Sequence, residues 1–177
     1  MLEEQDTSIF EISPLTLAIV AEQNDHNGII TRIMEEDEEY IVDVTPYQII
    51  NSACKYFGSS LRGRQDGARN ISGFTSKIPI SIDPSSGMYF FPTTSPKNPK
   101  CSWISHSHID KISKVTERKT KILFKNGKKL ILDVSIRTML NQVQRTAQFR
   151  FLLDKRLNYL QQQSPEMIAE PFPLNFE

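Results

Sequence analysis

Apolar positions along the first forty-odd residues come in short bursts separated by polar runs, a rhythm that predicts strands. "SIFEI" (8–12), "LTLAIVA" (15–21) and "GIITRIM" (28–34) are β-branched or apolar, and "EYIVDV" (39–44) alternates more loosely. The turn formers of "EQNDHNG" (22–28) and the charges of "EEDEE" (35–39) read as connections, the second as an exposed hairpin tip. The rhythm then changes. Thr45-Pro46 has the form of an N-cap followed by proline at the first helical position. In "YQIINSACKYF", Ile49, Ile50, Ala53, Cys54 and Phe57 recur at helical spacing, and Gly58 is placed to end the helix.

Next comes "GSSLRGRQDGARN" (58–70), whose three glycines and three arginines predict a basic loop. Extended segments follow in "KIPISIDP" (77–84), "GMYFFPTT" (87–94) and "CSWISHSHI" (101–109), with Pro79, Pro84 and Pro92 pushing them to sheet edges or strand ends. In "TKILFKNGKKLILDV" (120–134) the apolar set is Thr120, Ile122, Phe124, Leu130, Leu132 and Val134. Only a register that pairs even with even positions keeps that set on one face. A two-residue Asn126-Gly127 turn breaks the parity, so a three-residue loop with left-handed Gly127 is expected. Finally Ser135 can cap a helix from Ile136 to about Gln161, with Leu140, Val143, Ala147, Phe151, Leu153, Leu157 and Leu160 as its apolar positions. Arg137, Arg145, Arg150 and Arg156 then fall on its polar side.

The expected fold is therefore α+β, with antiparallel strands and hairpins, one short helix after Thr45-Pro46 and one long C-terminal helix. Residues 1–160 are expected to be a single domain, with an acidic β-rich lobe at 1–43 and a basic core at 44–160, and 161–177 a flexible tail. The longest apolar run, "LTLAIVA", is far short of the ~20 residues a membrane span requires, and no signal-peptide pattern opens the sequence. Cys54 and Cys101 read as free thiols of a reducing, cytoplasmic compartment.

Charge changes the picture most. The net charge of zero hides twelve Asp/Glu against a single Arg in residues 1–43, net −11, and twenty Lys/Arg against six Asp/Glu in residues 44–157, net +14. Such segregation points either to a polyanion partner for the middle of the chain or to two lobes that attract each other.

"GSSLRGRQ" (58–65) spaces its glycines as in a phosphate-binding loop, but Arg64 and Gln65 replace the required Lys and Ser/Thr, and the stretch follows a helix. Cys101, His106 and His108 lack the paired short spacings of a zinc site, although a strand would put both histidines on one face. They read as two histidines on a half-exposed strand beside Trp103. Ser105, His106, Asp83 and Asp110 show no nucleophile-elbow pattern. No catalytic residue, metal or cofactor is therefore expected. Nucleic acid remains: Arg62, Arg64 and Arg69 stand among Gly58, Gly63 and Gly67, which would let guanidinium groups approach phosphates or a narrow groove. Lys55, Lys77 and Lys121 are expected to extend that footprint.

The blocks "CKYFGSSLRGRQDGAR", "SKIPISIDPSSGMYFFPT", "CSWISHSHI", "FKNGKKLILDVS" and "NQVQRTAQFR" follow one another as in the ComK family of competence transcription factors, which the chain resembles over about residues 40–156. The resemblance implies a nucleoid-associated activator of genes for DNA uptake and recombination (transformation), binding paired AT-rich boxes of double-stranded DNA largely from the minor groove. It implies a homodimer or a pair of dimers; separately, the acidic residues 1–43 are a candidate face for RNA polymerase. The family's adaptor motif for Clp-type proteolysis, of the form F-M-L-Y-P, is not matched: Phe172-Pro173-Leu174 is a loose echo. An RNA-binding regulator, or a paralogue acting through protein contacts without its own DNA binding, is the alternative.

Overall fold

A computed structural model describes residues 12–163. The acidic segment supplies three strands, β1 (Thr16–Gln23), β2 (Ile29–Glu35) and β3 (Glu39–Val42). Two helices follow, α1 (Pro46–Tyr56) and α2 (Leu61–Ser72), then strands β4 (Ile80–Asp83), β5 (Met88–Pro92) and β6 (Trp103–Ser105). These six strands make one antiparallel sheet in the order β3-β2-β1-β6-β5-β4. A smaller sheet, β7-β8-β9, is built from Ile109–Lys114, Thr120–Phe124 and Lys129–Leu132, and α3 runs Ile136–Gln163. The architecture is α+β with antiparallel pairing throughout, as the patterning predicts. Within "SIFEI", residues 8–11 lie outside the described residues, as do residues 164–177 of the expected tail, Phe172-Pro173-Leu174 among them.

The larger sheet is covered on both sides, which explains why β1 is an unbroken apolar run rather than an alternating one. Ile19, Ile33, Ile80, Phe90 and Trp103 face α1, meeting Ile49, Ile50, Ala53 and Cys54, with Leu61 from the start of α2. Their neighbours in sequence, Val20, Met34, Phe91 and Ile104, face the smaller sheet and α3, meeting Ile122, Phe124, Leu130 and Met139. A third cluster ties the far edge together through Ala68, Ile78, Tyr89 and Phe149. Cys54 and Cys101 are free and buried, and burial pushes both thiols up to about 11.

Local signals were accurate where they depended on neighbours in sequence. Thr45 caps α1: its Oγ1 accepts from Gln48 N at 3.3 Å, while Gln48 Oε1 accepts from Thr45 N at 2.9 Å. Gly58 turns the chain out of α1 at φ 76°. The β8–β9 hairpin pairs Thr120 with Leu132 and Ile122 with Leu130, and Phe124 N donates to Lys128 O, leaving a three-residue loop with Gly127 at φ 88°.

Three expectations are corrected. The basic Arg-Gly segment is not a loop: it is helix α2. The "CSWISHSHI" strand breaks after Ser105 into a 3-10 turn, His106–His108, so the two histidines do not share a strand face. Trp103, in the strand ahead of that turn, is buried, while both histidines are half-exposed as expected. His106 is held below the usual histidine range by burial, with Arg150 and Lys125 adding to the effect, whereas His108 Nε2 lies 2.7 Å from Pro14 O. The third correction concerns α3, which buries Met139, Gln142, Thr146 and Phe149 and leaves Leu140, Ala147 and Phe151 exposed.

Candidate nucleic-acid interface

Helix α2 exists despite two internal glycines, each worth roughly 0.5–1 kcal/mol against it relative to alanine. Its first turn is held at both levels: Ser60 Oγ accepts from Gly63 N at 3.0 Å, and Asn51 Oδ1, reaching from α1, accepts from Leu61 N at 3.0 Å. Leu61 and Ala68 are buried, and Gly73 N closes the last turn by donating to Arg69 O at 2.8 Å. Burying one leucine-sized side chain contributes about 1.5–3 kcal/mol, enough with the cap to offset the glycines. The glycines therefore do not loosen the backbone here. Gly63 and Gly67 instead leave one exposed flank of a regular helix without side chains, next to the flank that carries Arg62, Asp66 and Arg69.

That geometry sorts the three arginines. Arg62 is 91% exposed, with Nε 3.9 Å from Asp66 Oδ2. Arg69 is half exposed and donates from Nη1 to Asp66 Oδ1 at 2.8 Å. One carboxylate thus sits between two cations on the same face, in ion pairs of the exposed kind that contribute about 0–1 kcal/mol each. A phosphate can displace Asp66 at little cost. Arg64 points elsewhere. It is half-buried, donates from Nη2 to Phe57 O at 3.1 Å, and its Nε is buried with no hydrogen-bond partner. Arg64 closes the corner between α1 and α2.

Lys55, in the last turn of α1, is exposed and joins this corner. Beside it stand Tyr56 and Phe57, 67% and 36% exposed, with ring centroids 5.1 Å apart at 75°. An edge-to-face pair of this kind contributes about 0.5–1.5 kcal/mol beyond its buried area. Lys77 lies past the other end of α2, just before β4, in the left-handed backbone region at φ 45°. Its carbonyl accepts from Gln142 Nε2 at 3.0 Å, so the residue anchors α3 as well as carrying charge. Lys121 belongs to β8 in the smaller sheet and pairs across to Ile131, apart from the α1–α2 corner. The structure therefore gathers Lys55, Arg62, Arg64 and Arg69 and leaves Lys77 and Lys121 on other elements.

Of the four arginines expected on the polar side of α3, Arg137 and Arg156 are exposed, whereas Arg145 and Arg150 are engaged with the body. Arg145 stacks over the Phe74 ring at 4.3 Å and donates to Ser76 O at 2.6 Å; Arg150 stacks over Tyr89 at 4.9 Å. Both hold the helix to the body rather than line a free polar face. Their aromatic partners lie dozens of residues away in sequence, so no local spacing signals the pairing. Among the described residues, no helix is long and apolar enough to cross a membrane.

Residues 7–158 match the family model described as ComK protein. The competence transcription factor of Bacillus subtilis (strain 168) is 34% identical over 162 residues, which cover 92% of this chain and 84% of that protein. No solved structure matches the chain. With the greater part of its length, α2 and the α1–α2 corner included, inside both alignments, the chain belongs to the ComK family.

Proposed function

We propose that the protein is a DNA-binding transcriptional activator of competence genes, and that it engages AT-rich duplex through the corner of α1 and α2. The observation that carries this reading is the outer face of α2, with Arg62 and Arg69 exposed on it and held only by the exposed Asp66. Seven residues of helix separate the two arginines by roughly 10 Å, comparable with grooves about 6–12 Å wide. A helix about 10–12 Å across cannot enter a minor groove about 6 Å wide. In this reading α2 lies over the phosphate walls and arginine side chains reach in, favoured by the enhanced negative potential of narrow A-tracts. Lys55 adds a cation to the same footprint, while Lys77 and Lys121 serve phosphates farther along the duplex or a partner subunit.

The test is anisotropy binding of alanine variants to a duplex with two spaced A/T tracts, with a G·C-rich duplex and single-stranded RNA as competitors. Arg62→Ala and Arg69→Ala are each expected to weaken binding by ~1–3 kcal/mol without altering the thermal midpoint. Arg64→Ala is expected to lower stability as well, because it opens the α1–α2 corner. Parental affinity in both the Arg62 and Arg69 variants would overturn the assignment, and preference for the RNA competitor would replace the function.

A further inference from the structure

We infer that Tyr56 and Phe57 form a wedge that enters the minor groove and unstacks a base step, kinking the duplex beneath α2. This deepens the reading just given and rests on it. The two rings have no role in the fold that matches their size. Neither belongs to any of the three clusters that make up the core. The buried face of α1 is Pro46, Ile49, Ile50, Ala53 and Cys54, and it stops short of both rings. A tyrosine and a phenylalanine left in solvent side by side are the largest adjoining aromatic pair exposed among the described residues.

Their mounting is nonetheless rigid. Phe57 N donates to Ala53 O at 3.4 Å, and Phe57 O accepts from Arg64 Nη2 at 3.1 Å, so the backbone under the ring is tied to both helices. Gly58 then turns the chain away at φ 76°, and a Cβ built there meets nothing within 4 Å, so no neighbouring group crowds the turn that follows the rings. The edge-to-face contact fixes one ring against the other. An apolar pair held this way behaves as a prow rather than a floppy surface group.

Charge selects the occupant. From Cys54 to Gln65 the sequence contains Lys55, Arg62 and Arg64 and no Asp or Glu. A protein partner's apolar patch does not demand that collar of cations; a polyanion whose apolar interior is reached between two phosphate rails does. Architectural minor-groove binders combine the same two parts, cations on the backbone and an apolar side chain between bases. Flexible pyrimidine–purine steps, TA among them, unstack most readily, which gives AT-rich sites an advantage at a position no hydrogen bond reads.

The experiment uses the full chain and an AT-rich duplex carrying 2-aminopurine at a central TA step, with a donor and acceptor dye on the duplex ends of a second preparation. The parent is expected to raise 2-aminopurine fluorescence on binding and to shorten the end-to-end distance. The variant with both Tyr56→Ala and Phe57→Ala is expected to bind within about tenfold of the parent, since Arg62 and Arg69 remain, yet to lose both signals. Phe57→Leu, which keeps an apolar wedge, is expected to retain them. If the alanine variant melts early, Tyr56→Ser alone, at the more exposed ring, is expected to reduce the fluorescence change by at least half. A parent that binds tightly with no change in either signal overturns the wedge and leaves the DNA reading standing. So does an alanine variant that bends the duplex like the parent. A parent that binds no duplex at low salt overturns both.

Discussion

Gly67 stands in the middle of α2 with a site for a methyl group that is empty: a Cβ there meets nothing within 4 Å. In an exposed helix interior glycine is less favourable than alanine by roughly 0.5–1 kcal/mol, and no contact in the fold compensates for it. Gly67→Ala is therefore expected to stabilise the protein by about that amount, read as a higher urea midpoint at unchanged m-value. Gly63 differs, because its Cβ would lie 2.9 Å from Ser59 Oγ and 3.3 Å from Ser60 Oγ, against the hydroxyl that caps the helix. Alanine at Gly63 is expected to gain less than at Gly67, or to lose. The Gly67 methyl would stand on the flank of α2 about 100° around the helix from Asp66 and about 160° from Arg69, away from the side those residues share. Stability up with affinity for an AT-rich duplex unchanged is therefore expected if the duplex lies along Arg62 and Arg69. Stability up with affinity down would mean that α2 meets DNA across its glycine flank instead.

At the scale of elements, the hairpin β8–β9 and the cap of α1 were legible because their determinants lie within a few residues of one another: strand parity, a left-handed glycine, a Thr-Pro pair. Helix α2 was not, because glycine count is a local signal, whereas its stability comes from Asn51 on α1, from Leu61 in the main core and from Ala68 packed near Phe149 of α3. The candidate site inherited the same limit. Its arginines were visible in the sequence, but which of them project and which one braces a corner depended on the helix being there. The face of α3 was misread for a related reason, namely that polar residues occupy it. Gln142 Nε2 donates to Lys77 O at 3.0 Å and to Pro92 O at 2.8 Å, and Thr146 Oγ1 donates to Gln142 O at 2.6 Å. Gln142 is 1% exposed and carries two backbone carbonyls from the body, one of them at the left-handed Lys77. Gln142→Leu preserves approximate volume but strands those carbonyls, so a loss of about 1–3 kcal/mol in denaturant unfolding is expected. Parental stability in Gln142→Leu would mean that packing alone seats the helix.

At the scale of the whole molecule the question is what the segregated charge does. The acidic hairpin between β2 and β3 is already engaged: Lys128 Nζ donates to Glu35 O at 2.8 Å, Asn126 Nδ2 donates to Glu36 O at 3.0 Å, and His108 Nδ1 lies 3.4 Å from Glu36 Oε1. Two of these contacts end on backbone carbonyls, so the hairpin latches the smaller sheet largely through its main chain and keeps its outer carboxylates in water. Strand β3 is one edge of the larger sheet, and α2 packs against β4 at the other. Five strand spacings of about 4.8 Å put the two edges roughly 24 Å apart. Screening falls off over about 8 Å at physiological ionic strength, so the hairpin's charge barely reaches α2 there. Changing Glu36, Asp37 and Glu38 together to Gln, Asn and Gln is thus expected to leave affinity for an AT-rich duplex within about twofold near 0.15 M salt. Around 0.15 M the local salt slope is expected to stay near that of the parent, roughly −2.7 in log K against log salt if Lys55, Arg62 and Arg69 each neutralise one phosphate, and to become steeper than the parent's at lower salt. At about 0.01 M salt, where the screening length grows to about 30 Å, the neutralised variant is expected to bind more tightly than the parent. A several-fold gain already at 0.15 M would place the hairpin over the DNA path and make it a mask for the basic corner. A gain confined to low salt keeps it what its contacts describe, a clasp on the smaller sheet whose field is felt at a distance only when ions are scarce.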